Sequence, residues 1–121
     1  MGAEKIKTFR DLLVWQKSIE FVTSTYINSR SFPKDEIFGL TQQLRRAVVS
    51  IPSNIAEGYG RKSTKDYIRF LQIAIGSLFE VQTQLQIALN LEYLKEEDSQ
   101  NLFESSREIE RMLSSLIKKL N

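Results

Sequence analysis

The sequence predicts an all-α protein, an up-down-up-down antiparallel four-helix bundle, and three observations carry that reading. Apolar residues recur at spacings of three and four along four separate stretches, the pattern of a helix with one buried stripe. Short connections join those stretches, so sequential helices should pack antiparallel. No stretch alternates in the manner of a strand, and no repeat or low-complexity segment interrupts the chain. A chain of 121 residues with 41% apolar composition fits one domain over residues 1–121 and can bury roughly two-thirds of its unfolded surface. Residues 1–9 are read as a flexible N-terminus.

The first helix is expected from about Asp11 to Asn28, with Leu12, Trp15, Ile19, Val22 and Tyr26 as its stripe. Asp11 suits the positive end of the helix dipole. Ser29 to Pro33 form the first connection, and Pro33 suits a first-turn position, with Asp35 and Glu36 complementing the dipole of the second helix. That helix runs through Ile37, Leu40, Leu44, Ala47, Ile51 and Ile55 to about Tyr59, where Gly58 and Gly60 supply the freedom to stop. Ser63 and Asp66 form a variant capping box for the third helix, about Thr64 to Leu89. Its stripe, Tyr67, Leu71, Ala74, Leu78, Val81, Leu85 and Ala88, is the most regular in the chain. A connection at Glu92 to Lys95 leads to a fourth helix that opens with Glu96, Glu97 and Asp98. It carries Leu102, Ile109, Leu113, Leu116 and Leu120, and closes with Lys118 and Lys119.

Local rules conflict in one place. Pro52 sits inside the second helix, where it removes a backbone donor and crowds the carbonyl of Val48, at a cost of about 3 kcal/mol in an ordinary helix interior. A kink at Pro52 is therefore expected, with Asn54 and Glu57 bridging the opened backbone.

The run RRAVVSIPSNIAEG, with FPKDEIFGLTQQL before it and RFLQIAIGSLFEVQTQL after it, resembles the small bacterial four-helix-bundle proteins encoded by intervening sequences of 23S ribosomal RNA genes. Those proteins look similar to the accessory protein of diversity-generating retroelements. The resemblance extends from about Phe9 to the C-terminal helix. It implies a four-helix bundle, a tendency to form homopentamers and, for some relatives, association with nucleic acid. It implies no activity.

Composition excludes several function classes. The chain has no His and no Cys, so it offers no side chain that titrates near neutrality by default and no thiol nucleophile. A di-iron site built from Glu-x-x-His pairs cannot form, and Ser50 and Ser53 lack a base. The expectation is a non-enzyme with no catalytic residues, no cofactor, no metal and no small-molecule substrate. The N-terminal residues carry no apolar leader, and no apolar run approaches the ~20 residues of a membrane span. A soluble, cytoplasmic protein without membrane contact is expected.

Two surfaces remain as functional candidates. Net charge is only +2, yet residues 1–62 hold 10 basic against 6 acidic residues, while residues 63–121 hold 7 against 9. Arg61, Lys62, Lys65 and Arg69 cluster at the corner between the second and third helices, with only Asp66 among them. Arg45 and Arg46 lie beside core positions of the second helix. Together these six are the candidate contacts to RNA or DNA. The competing readings are a solvated corner, and pairing of the two central arginines with Glu57 or Glu80. The second surface comes from Phe70–Phe79, ten residues without a charge. Ile73, Ile75, Gly76 and Phe79 fall outside the bundle stripe, and a helix apolar all round needs a second partner. Gly76, costly within a helix, suits a close backbone approach. A homo-oligomer is the expectation from these residues, the alternatives being a broad intramolecular core with a few exposed apolar residues or a different partner, and a pentamer follows from the resemblance. The reading is an oligomeric scaffold that associates with RNA, DNA or a nucleic-acid enzyme. The alternative is a purely structural or protein-binding bundle.

Overall fold

Local chemistry sets where each helix begins. The structure, a computed structural model, describes residues 5–121 and contains α1 (Leu13–Ser29), α2 (Leu40–Tyr59), α3 (Thr64–Asn90) and α4 (Glu96–Leu120). Ahead of α1, Phe9–Asp11 forms a 3₁₀ turn closed by a capping box. Thr8 Oγ1 accepts from the Arg10 amide, and Asp11 Oδ2 accepts from the amides of Lys7 and Thr8 at 2.8 and 3.0 Å. Within the segment expected to be a flexible N-terminus, the Phe9 ring also packs edge-on to Trp15, with centroids 5.2 Å apart. The rest of that expectation, Met1 to Glu4, lies outside the described residues.

Helix α2 begins later than the apolar spacing predicts. Lys34–Glu36 is a separate 3₁₀ turn, the chain bends at Gly39, and the α-helix opens at Leu40. Glu36 holds this junction, because Oε1 accepts from the Leu40 amide at 3.1 Å and Oε2 accepts from the Tyr93 hydroxyl at 2.9 Å. Tyr93 also packs its ring against Phe32, so the α1–α2 and α3–α4 connections are tied together. At α3 the predicted cap is present, with Ser63 Oγ accepting from the Asp66 amide at 3.1 Å. Helix α3 ends without a glycine: Glu92 takes the left-handed conformation, φ 64°, and the Tyr93 amide reaches the Ala88 carbonyl at 2.9 Å.

The four helices pack as neighbours in a ring, α1 on α2, α2 on α3, α3 on α4 and α4 on α1, with α2 and α3 in the most extensive contact. This is the expected four-helix bundle. Its centre is Leu44, Val48, Ile51, Ile55, Leu71, Leu78, Val81, Leu85, Ile109 and Leu113, all buried. The stripes of α3 and α4 fall where the spacing places them, Leu116 and Leu120 being partly buried.

The stripe of α1 is different. Val14, Ser18, Phe21, Thr25 and Ser29 face inward, whereas Ile19 and Tyr26 are exposed. Apolarity selects the wrong edge because small hydroxyl side chains enter the interior by bonding their own helix: Ser18 Oγ donates to the Val14 carbonyl at 2.8 Å. On helix α4 buried Ser106 does the same, its Oγ donating to the Phe103 carbonyl at 2.7 Å, while the hydroxyl of buried Ser99 meets no hydrogen-bond partner among the described residues. On α2, Ile37 is also exposed instead of joining the stripe, since it precedes the helix.

Pro52 is buried inside α2, and it interrupts the hydrogen-bond ladder without ending the helix. Around it, Ser50 Oγ donates to Ala47, Ser53 Oγ to Val49 and Asn54 Nδ2 to Ser50, so three carbonyls of this turn gain side-chain donors. The sequence suggests that Gly58 stops the helix, but no glycine among the described residues has a positive φ, and Gly58 lies inside α2. It is instead the closest approach to α3: a Cβ there would lie 2.7 Å from Phe70 Cβ and 3.2 Å from the Tyr67 carbonyl oxygen.

Helix propensity alone makes Gly58→Ala a gain of about 1 kcal/mol. The contact with Phe70 reverses the sign, and Gly58→Ala should lose about 1–3 kcal/mol through overpacking, read by urea denaturation. A second expectation concerns pH. The hydrogen bond to Glu36 holds the Tyr93 hydroxyl above its ordinary pKa, with burial acting in the same direction. Because folding favours the neutral phenol, this stabilisation is complete below the unfolded pKa, about 10, and is lost as pH rises through the folded value. Melting temperature should fall through that alkaline range, and Tyr93→Phe should remove this component of the fall.

Candidate nucleic-acid interface

The antiparallel arrangement collects charge at the ends of the bundle. Arg61 and Lys62 follow α2, and Lys65 and Arg69 occupy the first turns of α3, so the α2–α3 corner is one contiguous cationic surface. The end of α4 borders it, since Leu120 and Asn121 line a depression with Lys65, Asp66, Arg69 and Gln72. On the other side, Lys119 shares a depression with Leu12 and Leu13 at the start of α1. Arg10, Arg61, Lys62, Lys65, Arg69, Lys118 and Lys119 therefore gather at this end, opposed by Asp11, Glu57 and Asp66. The opposite end holds Asp35, Glu36, Glu92, Glu96, Glu97 and Asp98 against Arg30, Lys34 and Lys95. The bundle is basic at one end and acidic at the other.

Two cations of the corner are held in place. Arg61 pairs with Glu57 at 2.7 Å and lies 4.6 Å from the Phe70 ring centroid. Arg69 lies 4.7 Å from the same centroid, with Asp66 at 3.8 Å. Phe70 itself is buried against α2, so the core fixes the platform on which both guanidinium groups rest. Among the described residues, Lys62 and Lys65 have no carboxylate within 4.0 Å, and both are exposed. Tyr59 and Tyr67 pack edge to face at 6.0 Å between the two helices, and burial raises the Tyr67 pKa.

Not every predicted site residue joins this surface. Arg45 and Arg46 lie sixteen and fifteen residues before Arg61 on α2, roughly 24 Å away along the axis. Neither pairs with Glu57 or Glu80. Arg45 stacks on the Tyr26 ring at 4.7 Å and donates to Ser29 Oγ at 3.0 Å, which secures the end of α1. Arg46 is exposed, with no carboxylate partner among the described residues. Asn54 bonds the backbone near Pro52, but the Glu57 carboxylate is directed one turn onward to Arg61 and does not bridge that backbone.

Helix α3 presents Ile73, Gly76 and Phe79 outward, with Ile73 and Phe79 42% and 48% exposed, while Ile75 packs against the core. Nothing within the chain lies within 4 Å of a Cβ built on Gly76, so no close approach inside the bundle accounts for that glycine. Among the described residues no group of three or more acidic, His or Cys side chains is arranged to hold a metal, and no helix is long and apolar enough to cross a membrane.

A family description, 23S rRNA-intervening sequence protein, matches residues 10–115. The chain belongs to this family. A crystal structure of a protein of unknown function from the S23 ribosomal protein family of Bacteroides thetaiotaomicron superposes with a TM-score of 0.81. It is 29% identical, and the alignment covers 88% of this chain and 96% of that one. A comparison with curated proteins finds no match. The shared fold supports the helix assignments above, while the functional surface has to be argued from its own residues.

Sequence reasoning missed two parts of the surface. Lys118, Lys119 and Arg10 join the corner only because α1 begins and α4 ends beside it. Phe38, 86% exposed, stands on the turn before α2, and its position outside every apolar stripe was the available signal.

The two central arginines provide a direct check. Arg45→Ala should cost about 1–2 kcal/mol, from the hydrogen bond to Ser29, a longer one to the Tyr26 carbonyl and the contact with the Tyr26 ring. Arg46→Ala should stay within about 0.5 kcal/mol, as for an isolated surface position. Chemical denaturation of both variants reads the difference.

Proposed function

We propose that the protein is a non-enzymatic, cytoplasmic scaffold that self-associates and contacts nucleic acid through the basic end of each bundle. The observation that carries this reading is the segregation of charge, with Lys62 and Lys65 exposed beside Arg61, Arg69 and the C-terminal lysines. The carboxylate partners of Arg61 and Arg69 do not block it. Exposed ion pairs contribute only about 0.3–0.5 kcal/mol at helical spacing, so phosphate can compete for both guanidinium groups. Phosphate contacts of this kind carry no base readout, and binding is therefore independent of sequence. The family description refers to an intervening sequence of 23S rRNA, which makes RNA the first polymer to test. Self-association rests on the outward Ile73, Gly76 and Phe79 of α3, and the resemblance noted above suggests a pentamer.

A second reading, a scaffold for proteins only, is favoured by one observation: Arg61 and Arg69 already engage Glu57, Asp66 and Phe70, which leaves few free cations per chain. Retention of RNA and DNA by the purified protein separates the two. At ~50 mM salt, where counterion release favours binding, both polymers should be retained, and affinity should fall steeply with added salt. Replacing Lys62 and Lys65 with Ala should reduce the salt slope while melting temperature and assembly mass stay unchanged, since neither has a carboxylate partner among the described residues. No retention of either polymer by the intact protein would leave the protein-only scaffold.

A further inference from the structure

Two apolar surfaces of this chain have no partner within it. The first lies over α1 and α2, a depression of about 520 Å³ whose lining includes Tyr26, Ile37, Phe38 and Val49. All four are exposed, Phe38 most of all at 86%. The second is the outward face of α3, with Ile73, Gly76 and Phe79. Each surface carries one exposed ion without an opposite charge among the described residues. Arg46 lines the first, and Glu80 follows Phe79 on the second.

We infer that these two surfaces dock on each other between copies of this chain, the α3 face of one copy seating on the α1–α2 depression of the next. Charge selects the occupant. A contact between two α3 faces offers Glu80 no unpaired cation, and a contact between two α1–α2 surfaces offers Arg46 no carboxylate on that surface. The mixed contact pairs Arg46 with Glu80 and sets aromatic and branched residues on both sides. It also accounts for Gly76, where a Cβ meets nothing within the chain: a glycine on the docking face lets a projecting ring such as Phe38 approach the α3 backbone. A contact between two different patches is heterologous, and repetition of one such contact closes into a ring when the rotation permits. The inference rests on the proposed self-association and names its two faces.

Sedimentation of Phe38→Asp and Phe79→Asp tests it. Both positions are exposed, so each variant should keep its helicity, read by circular dichroism. Each variant alone should be a monomer at a concentration where the wild type assembles. An equimolar mixture should form a species of two chains and nothing larger, because one intact depression meets one intact α3 face. In parallel, Arg46→Glu and Glu80→Arg should each weaken assembly by about tenfold or more, and both substitutions in one chain should restore it. Assembly of either Phe variant alone, or a mixture that remains monomeric, overturns the heterologous contact while self-association stands. A monomeric wild type at micromolar concentration overturns self-association itself, and this inference with it.

Discussion

The packing of α2 against α3 is the constraint on which the remaining features depend. At Gly58 the two helices approach so closely that a single added carbon would meet Phe70. About two helical turns further up, the hydroxyls of Ser50 and Ser77 meet across the same interface. Small residues at these crossings let two long helices run side by side, and the apolar side chains along the interface, Val48, Ile51, Ile55, Leu71, Ala74 and Leu78, are then sealed from water. The proline is carried in the same helix. Its lost donor is tolerated because the apolar interface on one side and side-chain donors from Ser50, Ser53 and Asn54 on the other hold the turn in place.

The same close approach shapes the surface chemistry. Phe70 is pinned by the α2 backbone, and the two guanidinium groups of Arg61 and Arg69 rest on its ring. A basic corner whose platform belongs to the core is more ordered than one built from lysines alone, so less conformational entropy is lost when phosphate binds. Antiparallel topology then does what the linear sequence does not display. It brings the ends of α1 and α4 to this corner and the acidic start of α4 to the far end, turning a mild excess in the N-terminal half of the chain into a charge difference between the ends of the bundle.

Most of the fold was legible because period and caps agree. The stripe of α3, the Ser63 cap and the acidic opening of α4 each follow from local rules, and tertiary packing does not override them. The failures are equally physical. Ser18 hides the true face of α1, since a scale that rewards apolarity cannot see a hydroxyl that satisfies itself on its own helix, and Thr25 is buried on the same face although its hydroxyl meets no partner among the described residues. Gly58 reads as a stop signal, because spacing does not distinguish a glycine chosen for conformation from one chosen for proximity. Arg45 and Arg46 look alike in sequence, and only the position of Tyr26 on a neighbouring helix separates a structural arginine from a free one.

For the proposed nucleic-acid scaffold, so small a net charge poses a question of number. One basic end offers a handful of cations, several of them already weakly paired, and a few phosphate contacts give little affinity at physiological salt. In the proposed assembly, copies joined through their sides would keep their basic ends free, because the inferred docking faces on α1–α2 and α3 do not include the α2–α3 corner. Each added copy would then raise the effective concentration of cations along one polymer without a new contact in any single chain. Near neutrality would be an advantage in such an assembly, since chains with a large like charge would repel one another at the docking faces. On this reading the separation of apolar sides from charged ends would let assembly and binding vary independently, with Phe38 and Phe79 governing the first and Lys62 and Lys65 the second.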